Sequence, residues 1–373
     1  MAEPESWIQD AQATLQEARQ RGQPVGIEGH GSKAFYGNPR PAGAALISTR
    51  GYAGIVNHDP TELVVVARAG TPITALEACL AERGQALAFE PPRFGPDRAG
   101  TVGGMVATGL SGPARLSAGS CRDALLGLTV LNSSGELMRF GGTVMKNVAG
   151  YDMTRLHAGA MGTLGLVLDV ALKVLPRPKA SLTLSAPMGQ AEALTKTNSW
   201  LAQPLPISAS AWLPEGELVL RLAGAQAAVQ SAADRLTKSL GPSQARVWPA
   251  AEATDFWEGL RDHRHPFFTP AAPHLSLWRL SLPPTQPVLG LGGAIPLIEW
   301  GGAQRWIWSD LSADVIRGEV SGRGGHATCF RRALPDTETF SSLSEPLMRL
   351  HARIKAELDP HLVLEPGRLY RGL

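Results

Sequence analysis

Fifteen of the 41 glycines in this 373-residue chain fall between Gly95 and Gly165, and they are not spaced like turn punctuation. Their densest run, Gly100-Thr101-Val102-Gly103-Gly104-Met105-Val106-Ala107-Thr108-Gly109-Leu110-Ser111-Gly112, mixes small side chains with residues that have no Cβ. Glycine lets the main chain approach a ligand closely and lets consecutive N–H groups converge on one anion. Such a run carries a high backbone-entropy cost on folding, so a plain connection is a poor reason for it. An elongated, phosphate-bearing ligand lying along the backbone is a better one.

Several function classes are excluded early. Hydrophobic residues make up 44% of the sequence, which in a chain of this length provides two proper cores. The formal net charge is +2 with both signs spread throughout, so no nucleic-acid footprint is present. Cys79, Cys121 and Cys329 lie far apart with no CxxC, which argues against a disulfide framework and against a zinc or iron–sulfur site. A reducing, cytoplasmic compartment is expected. The opening Met-Ala-Glu-Pro-Glu-Ser lacks the layout of a signal peptide. No apolar run reaches the roughly 20 residues that span a bilayer. Any association with the inner membrane face is therefore expected to pass through partners.

Periodicity predicts a helix over 6–21, a short strand at Val25–Ile27, a strand over 63–67 and a helix over 72–83. Residues 124–131 and 136–140, joined by Asn132-Ser133-Ser134-Gly135, read as a hairpin, and 164–174 as a longer strand. The Pro176-Arg177-Pro178-Lys179 cluster marks a boundary. Beyond it lie eight of the nine tryptophans, and strand, helix, strand, strand, helix follow over 181–187, 190–201, 206–212, 218–222 and 226–240. That succession suits a sheet covered by helices on one face. A last helix over 344–358 precedes the tail. The expected division is 1–178, 179–340 and 341–373, with an α+β architecture.

Three constellations carry chemistry. Gly29-His30-Gly31-Ser32-Lys33 follows a strand directly and is composed like an anion-binding nest. The second is the Gly100–Gly112 run, continuing to Gly119-Ser120-Cys121-Arg122-Asp123. The third is Gly141-Gly142 through Lys146-Asn147-Val148-Ala149-Gly150-Tyr151-Asp152, then Gly159-Ala160-Met161-Gly162-Thr163-Leu164-Gly165. Each alone is compatible with a glycine-rich crossing in a packed sheet; three in one domain point to a large ligand.

In their order these segments resemble the vanillyl-alcohol-oxidase class of FAD-binding domains, the PCMH type, over roughly residues 20–178. The resemblance implies a two-part FAD-binding domain, a smaller α+β cap domain for substrate or partner, and a C-terminal tail returning to the first domain. It assigns FAD contacts to Gly29, His30, Gly31, Ser32, Lys33, Pro92, Thr101, Gly103, Gly104, Ala107, Gly109 and Gly112. It further assigns Gly119, Ser120, Asp123, Lys146, Gly159, Gly162, Gly165, Val167 and Arg368. Some relatives attach flavin covalently to a loop histidine, but that position aligns with Gly31, one place from His30, so noncovalent FAD is implied.

A narrower similarity runs through Lys146–Asp152, Arg261–Phe268, Glu299–Trp306 and Gly325–Thr328, to the E-subunit family of bacterial glycolate oxidases. It implies a complex with a related FAD subunit and an iron–sulfur subunit, the clusters belonging to the partner. Two positions depart from the pattern: Glu28 stands where the phosphate loop commonly begins with Arg, and Glu365 replaces the Asn of the tail motif. A carboxylate beside a flavin disfavours its reduced anion.

Oxidising a 2-hydroxy acid needs a cation for the carboxylate and a base beside the hydroxyl. His326 with Arg323, Arg331 and Arg332 is the compact set in the second half that offers both. Gly324-Gly325-His326-Ala327 lacks the Glu of the related Gly-Glu-His-Gly motif, which assigns the oxidation itself to the sister subunit. His263, His265, His274 and His326 have no fixed third-ligand spacing, so no metal is expected. Trp306 and Trp308 alternate and so share one strand face, as core, pocket lining or partner surface. Three readings remain open: a glycolate oxidase flavin subunit, a self-sufficient 2-hydroxy-acid dehydrogenase for glycolate or D-lactate, and a scaffold with a decayed flavin site.

Overall fold

The computed structural model describes residues 4–95, 97–144, 151–241 and 243–373. Lys146, expected at the site, lies outside the described residues, as does the 147–150 stretch that follows it.

The chain opens with helix α1 (Pro4–Arg21), then β1 (Val25–Glu28), β2 (Ala45–Ser48), β3 (Ile55–Asp59), β4 (Val64–Arg68), α2 (Ile73–Glu82) and β5 (Gln85–Ala86). Short helices α3 (Val102–Thr108), α4 (Arg115–Ala118) and α5 (Cys121–Ala124) lead into β6 (Leu125–Leu131), β7 (Leu137–Gly141), β8 (Leu166–Lys173) and β9 (Leu175–Pro176). Next come β10 (Ala180–Pro187), α6 (Gln190–Leu201), β11 (Ile207–Leu213), β12 (Glu217–Gly224), α7 (Gln226–Leu240), β13 (Arg246–Val247) and α8 (Ala250–Arg261). The chain closes with β14 (Ser276–Ser281), β15 (Leu297–Glu299), β16 (Gln304–Ser309), α9 (Ala313–Ser321), β17 (His326–Arg331) and α10 (Glu345–Leu358).

These elements form two units. One comprises Met1–Ser111, Ser120–Pro176 and Ser342–Leu373; the other comprises Gly112–Gly119 and Arg177–Ser341.

In the first unit an antiparallel sheet runs in the order β3-β4-β8-β6-β7. β8 reads Leu-Val-Leu-Asp-Val-Ala-Leu-Lys because it is central and buried on both faces, which removes the usual alternation. On one face α2 and α3 bring Ile73, Leu76, Leu80, Met105 and Val106 against Val65, Ala67, Leu128, Val130 and Val170. On the other, Ala11, Leu15 and Ala18 of α1 meet Leu131, Leu166 and Leu168. A second, parallel pair, β1 with β2, adds Val25 and Ile47 to that core. The C-terminal tail runs beside β1 through a parallel bridge between Val25 and Leu364.

The glycine run treated as permissive backbone along a ligand contains a helix, α3. Val102-Gly103-Gly104 is a poor helix start by propensity. Two devices make it one: the Thr101 hydroxyl accepts the Gly104 N–H as N-cap, and Gly109 ends the helix in the left-handed region, its N–H on the Met105 carbonyl.

The second unit is an eight-stranded antiparallel sheet in the order β13-β10-β12-β11-β15-β16-β14-β17. Helices α6 and α7 cover one face through Leu194, Trp200, Val229 and Leu236, and α9 continues that layer through Ile316 and Val320. The helices of the 181–240 succession thus lie on one face, as that succession suggests, while α8, beyond it, packs on the opposite face. There Trp257 Nε1 donates to Thr183 Oγ1 at 2.9 Å, and the Arg221 guanidinium lies 5.2 Å from the Trp257 ring centre. Thr183 and Arg221 are cross-strand partners whose side chains alternate away from the apolar layer, so an aromatic with a polar edge suits them.

Candidate functional site

β1 delivers the chain into the turn at Gly29–Lys33. A Cβ at Gly29 would lie 2.2 Å from Thr101 Oγ1 and 2.7 Å from Thr101 Cγ2, so only glycine lets this turn press against the capped start of α3. Among the described residues, the N–H groups of His30, Gly31 and Ser32 have no protein acceptor, and His30 Nδ1 is buried without a partner. Open donors on consecutive residues, one at a positive φ of 70° (Gly31), are the ingredients of an anion nest. Lys33 is buried, its ammonium 5.7 Å from the centre of the Phe94 ring.

This turn forms one wall of an open cavity. Thr101, Gly104, Ala107 and Thr108 from α3 line another side, with Met161, Arg40, Glu365 and Arg368 closing it. Small residues on α3 leave room for a flat or elongated group. Met161 and Glu365 both adopt positive φ, 56° and 43°, without being glycine. Such conformations cost energy and concentrate where geometry serves a ligand.

The tail builds the floor. Glu365 N donates to the Val25 carbonyl at 2.8 Å, and Val25 N donates to that of Val363 at 2.7 Å. The Arg368 guanidinium donates to the backbone carbonyls of Ala34, Tyr36 and Asn38. Arg368 therefore fixes the loop that follows the nest. Asn38 returns the tie, donating to Gly367 and Leu369 carbonyls at 3.1 and 3.3 Å.

Arg40, which sequence reasoning did not single out, answers both departures from the family pattern. Glu365 is almost wholly buried; its carboxylate accepts Ile27 N at 2.7 Å and Arg40 Nη2 and Nε at 2.8 and 2.9 Å. Arg40 Nη1 lies 3.5 Å from Glu28 Oε2. Burial works against the charged guanidinium, but hydrogen bonding and attraction from Glu365, then Glu28, outweigh it and raise its pKa. The signal in the sequence was the pair of unexplained carboxylates, which required a cation nearby.

Other residues assigned by resemblance are placed differently. Gly103 faces away from the cavity: a Cβ there would lie 2.8 Å from Ala69 Cβ. Gly109 and Gly159 meet each other, a Cβ on Gly109 falling 3.0 Å from Gly159 N. Gly165 accommodates Val130, and Val167 belongs to the sheet core. Gly162 lies against Ile27 and Glu365 beside the cavity. Pro92 is buried in the loop after β5. Ser120 and Asp123 form a reciprocal cap on α5, Ser120 N donating to Asp123 Oδ2 at 2.8 Å. Gly112 and Gly119 fall in the second unit, where Trp300 Nε1 donates to the Gly112 carbonyl at 3.1 Å. The tight set is thus Gly29–Lys33, Thr101, Gly104, Ala107 and Arg368, joined by Arg40, Met161 and Glu365.

In the second unit the set of His326, Arg323 and Arg331 is not gathered. His326 begins β17 in an exposed position and Arg331 ends it, roughly 15 Å away at ordinary strand rise. Arg323 pairs with Glu319 at 2.7 Å. Trp306 and Trp308 do share a face, opposite Arg279 and Leu277, but their indole N–H groups are engaged by Glu299 Oε2 and the Phe267 carbonyl. On that face His263 stacks on Phe268 with ring centres 3.7 Å apart and meets Trp306 edge-on. Burial, then Arg331 and Arg279, hold its imidazole well below the ordinary value, so it is neutral. His265 instead caps the turn at Pro266–Phe268.

The chain is similar to known proteins in sequence and in fold. Residues 2–141 match a family described as an FAD binding domain. The glycolate oxidase subunit GlcD of Bacillus subtilis (strain 168) is 31% identical over 176 residues, 47% of this chain and 37% of that protein. A solved alkyldihydroxyacetonephosphate synthase superposes with a TM-score of 0.64 at 13% identity, covering 96% of this chain and 75% of that one. The fold is thus the α+β arrangement of PCMH-type FAD-binding proteins. The glycolate oxidase subunit GlcE of Escherichia coli (strain K12) is 43% identical over 350 residues, spanning 94% of this chain and 93% of that protein. Identity sustained over almost the whole of both sequences means that the chain belongs to the GlcE family of glycolate oxidase subunits.

Proposed function

We propose that the chain is the FAD-binding subunit of a glycolate oxidase complex, working as an electron-relaying partner in the oxidation of glycolate to glyoxylate. The observation that carries the cofactor assignment is the cavity walled by open N–H groups of His30, Gly31 and Ser32. An anionic diphosphate fits those donors, and the missing side chain at Gly29 and small residues at Gly104 and Ala107 fit a ligand lying close to the backbone. The chemistry FAD supplies when bound is two-electron oxidation of a 2-hydroxy acid to a 2-oxo acid. The chain's own residues hold and orient: the nest binds, Arg40 neutralises Glu28 and Glu365, and Arg368 fixes the loop.

The relay role is supported by the scatter of His326, Arg323 and Arg331, which are not brought together as the cation and base that a 2-hydroxy acid would need. The substrate-oxidising flavin then belongs to the related subunit, and the iron–sulfur clusters to a third. Among the described residues no helix is long and apolar enough to cross a membrane, and we place the chain in the cytoplasm, reaching the inner membrane face through its partners. Binding is noncovalent: His30 is the nearest candidate for attachment, and acid precipitation is expected to leave the yellow colour in the supernatant.

The test is the purified chain with and without its partner subunits. FAD is expected to raise its melting temperature, and anaerobic glycolate is expected to bleach its flavin only when the partners are present. A colourless protein that gains no stability from FAD overturns the flavoprotein assignment. Bleaching of the isolated chain by glycolate or D-lactate assigns the oxidation to this chain.

A further inference from the structure

The cavity that carries the anion nest is also lined by two carboxylates, Glu28 and Glu365. A dianionic diphosphate placed there would meet repulsion unless both were neutralised. Among the described residues Arg40 alone reaches both: it grips Glu365 through Nε and Nη2 at 2.8–3.0 Å and lies 3.5 Å from Glu28. Its path is built in. The stem crosses β1 where Gly26 has no side chain, since a Cβ there would sit 3.2 Å from Arg40 Cδ, and Nη2 donates to the Ile27 carbonyl at 2.5 Å. Glu365 is fixed from its other side by Ile27 N.

Building on the cofactor assignment above, we propose that Arg40 is a positioning and charge-balancing residue: by cancelling Glu28 and Glu365 it sets the affinity of the cavity for a diphosphate-bearing ligand. The positive charge that the turn lacks at its first position is supplied instead from twelve residues further on, and the tail carboxylate is what aims it. Repulsion from the partly exposed Glu28 on a ligand entering from water is screened by salt, whereas a deformed pocket is not, and this separates an electrostatic role from a merely structural one.

The experiment uses the full chain in apo form and three probes: FAD, ADP (the diphosphate without the flavin ring) and riboflavin (the ring without phosphate). Arg40→Met is expected to weaken FAD and ADP by about tenfold or more at low salt while leaving riboflavin unchanged, and the loss is expected to shrink as salt rises. Arg40→Met with Glu365→Gln is expected to recover most of the affinity. Glu28→Gln in the otherwise wild-type chain, which does not depend on the fold tolerating a change at Arg40, is expected to tighten ADP by about threefold. Unchanged ADP affinity in both Arg40→Met and Glu28→Gln overturns the proposal. So does a loss in Arg40→Met that is equal for all three probes and indifferent to salt. If the wild-type chain binds neither FAD nor ADP, the cofactor assignment falls as well, a failure visible before any variant is made.

Discussion

Gly29 and Gly31 sit two positions apart in one turn and require glycine for different reasons. A methyl on Gly29 would strike the Thr101 side chain, which is β-branched and held as a cap, whereas Gly31 has open space but a φ of 70°. Gly29→Ala is expected to cost about 1–3 kcal/mol of stability by overpacking and to lower FAD affinity, and Gly31→Ala about 1–2 kcal/mol through backbone strain alone. Melting curves and FAD titrations of the two variants check this; equal behaviour of Gly29→Ala and wild type would refute it. At this scale the sequence announced that glycines were needed but not what fills the space each leaves. Gly103, Gly109 and Gly165 accommodate Ala69, Gly159 and Val130, contacts made between distant stretches that no local pattern displays. Arg40 was hidden for the same reason, its partner lying 325 residues away. His157 supplies a pH prediction. It is 2% exposed, its Nε2 has no partner, and burial pulls its pKa down to about 4. Between about 6.5 and 4 the unfolded chain binds a proton that the folded chain refuses, so stability falls as pH drops through that window and is flat above it. The loss is of order 3 kcal/mol. His157→Leu is expected to flatten the slope in urea denaturation across pH 4–7, and a variant as pH-sensitive as wild type counts against it.

Among the elements, α6 and α7 were legible in the sequence because each has an apolar face at helical spacing, bounded on both sides by strands. α3 was not, because its glycines suppress the propensity signal and its stability comes from Thr101, Gly109 and packing on Ala69. β2 and β3 escaped for want of clear alternation: Leu46 and Val56 point outward, exposed by about half. The end of α10 holds a buried ion pair that shapes the tail. Lys355 Nζ donates to Asp359 Oδ2 at 2.6 Å and to the carbonyls of Thr163 and Leu364, while Asp359 accepts Val363 N and Leu364 N. Burial lowers the Lys355 pKa, against the pull of Asp359. Lys355→Met leaves a fully buried carboxylate uncompensated and is expected to destabilise the first unit by about 3–5 kcal/mol. Limited proteolysis is expected to release the tail in that variant, and a tail as resistant as the wild type's would contradict the assigned role.

For the molecule as a whole, the α+β class and the change of character near Pro178 follow from composition and periodicity. The cofactor and the complex came from ordered motifs rather than from physics alone. The substrate side was least legible, because His326, Arg323 and Arg331 are near in sequence but dispersed along and beyond a strand. Since the cavity belongs wholly to the first unit, FAD is expected to move one calorimetric transition and leave the other in place. At a hundredfold excess over Kd the gain is about 2.7 kcal/mol. Two transitions shifting together would count against a cofactor held by one unit.

The hydrogen bond from Ile27 to Glu365 spans 338 residues, so the floor of the cavity forms only once that distant stretch has been made. A ribosome that has made every glycine of the nest has still not made a place for the vitamin-derived cofactor. Loading therefore waits until that stretch has met β1, and a half-made chain holds the nest without its floor. Such contacts between distant parts of a chain also slow folding, which gives chaperones a longer interval in which to act before the pocket closes.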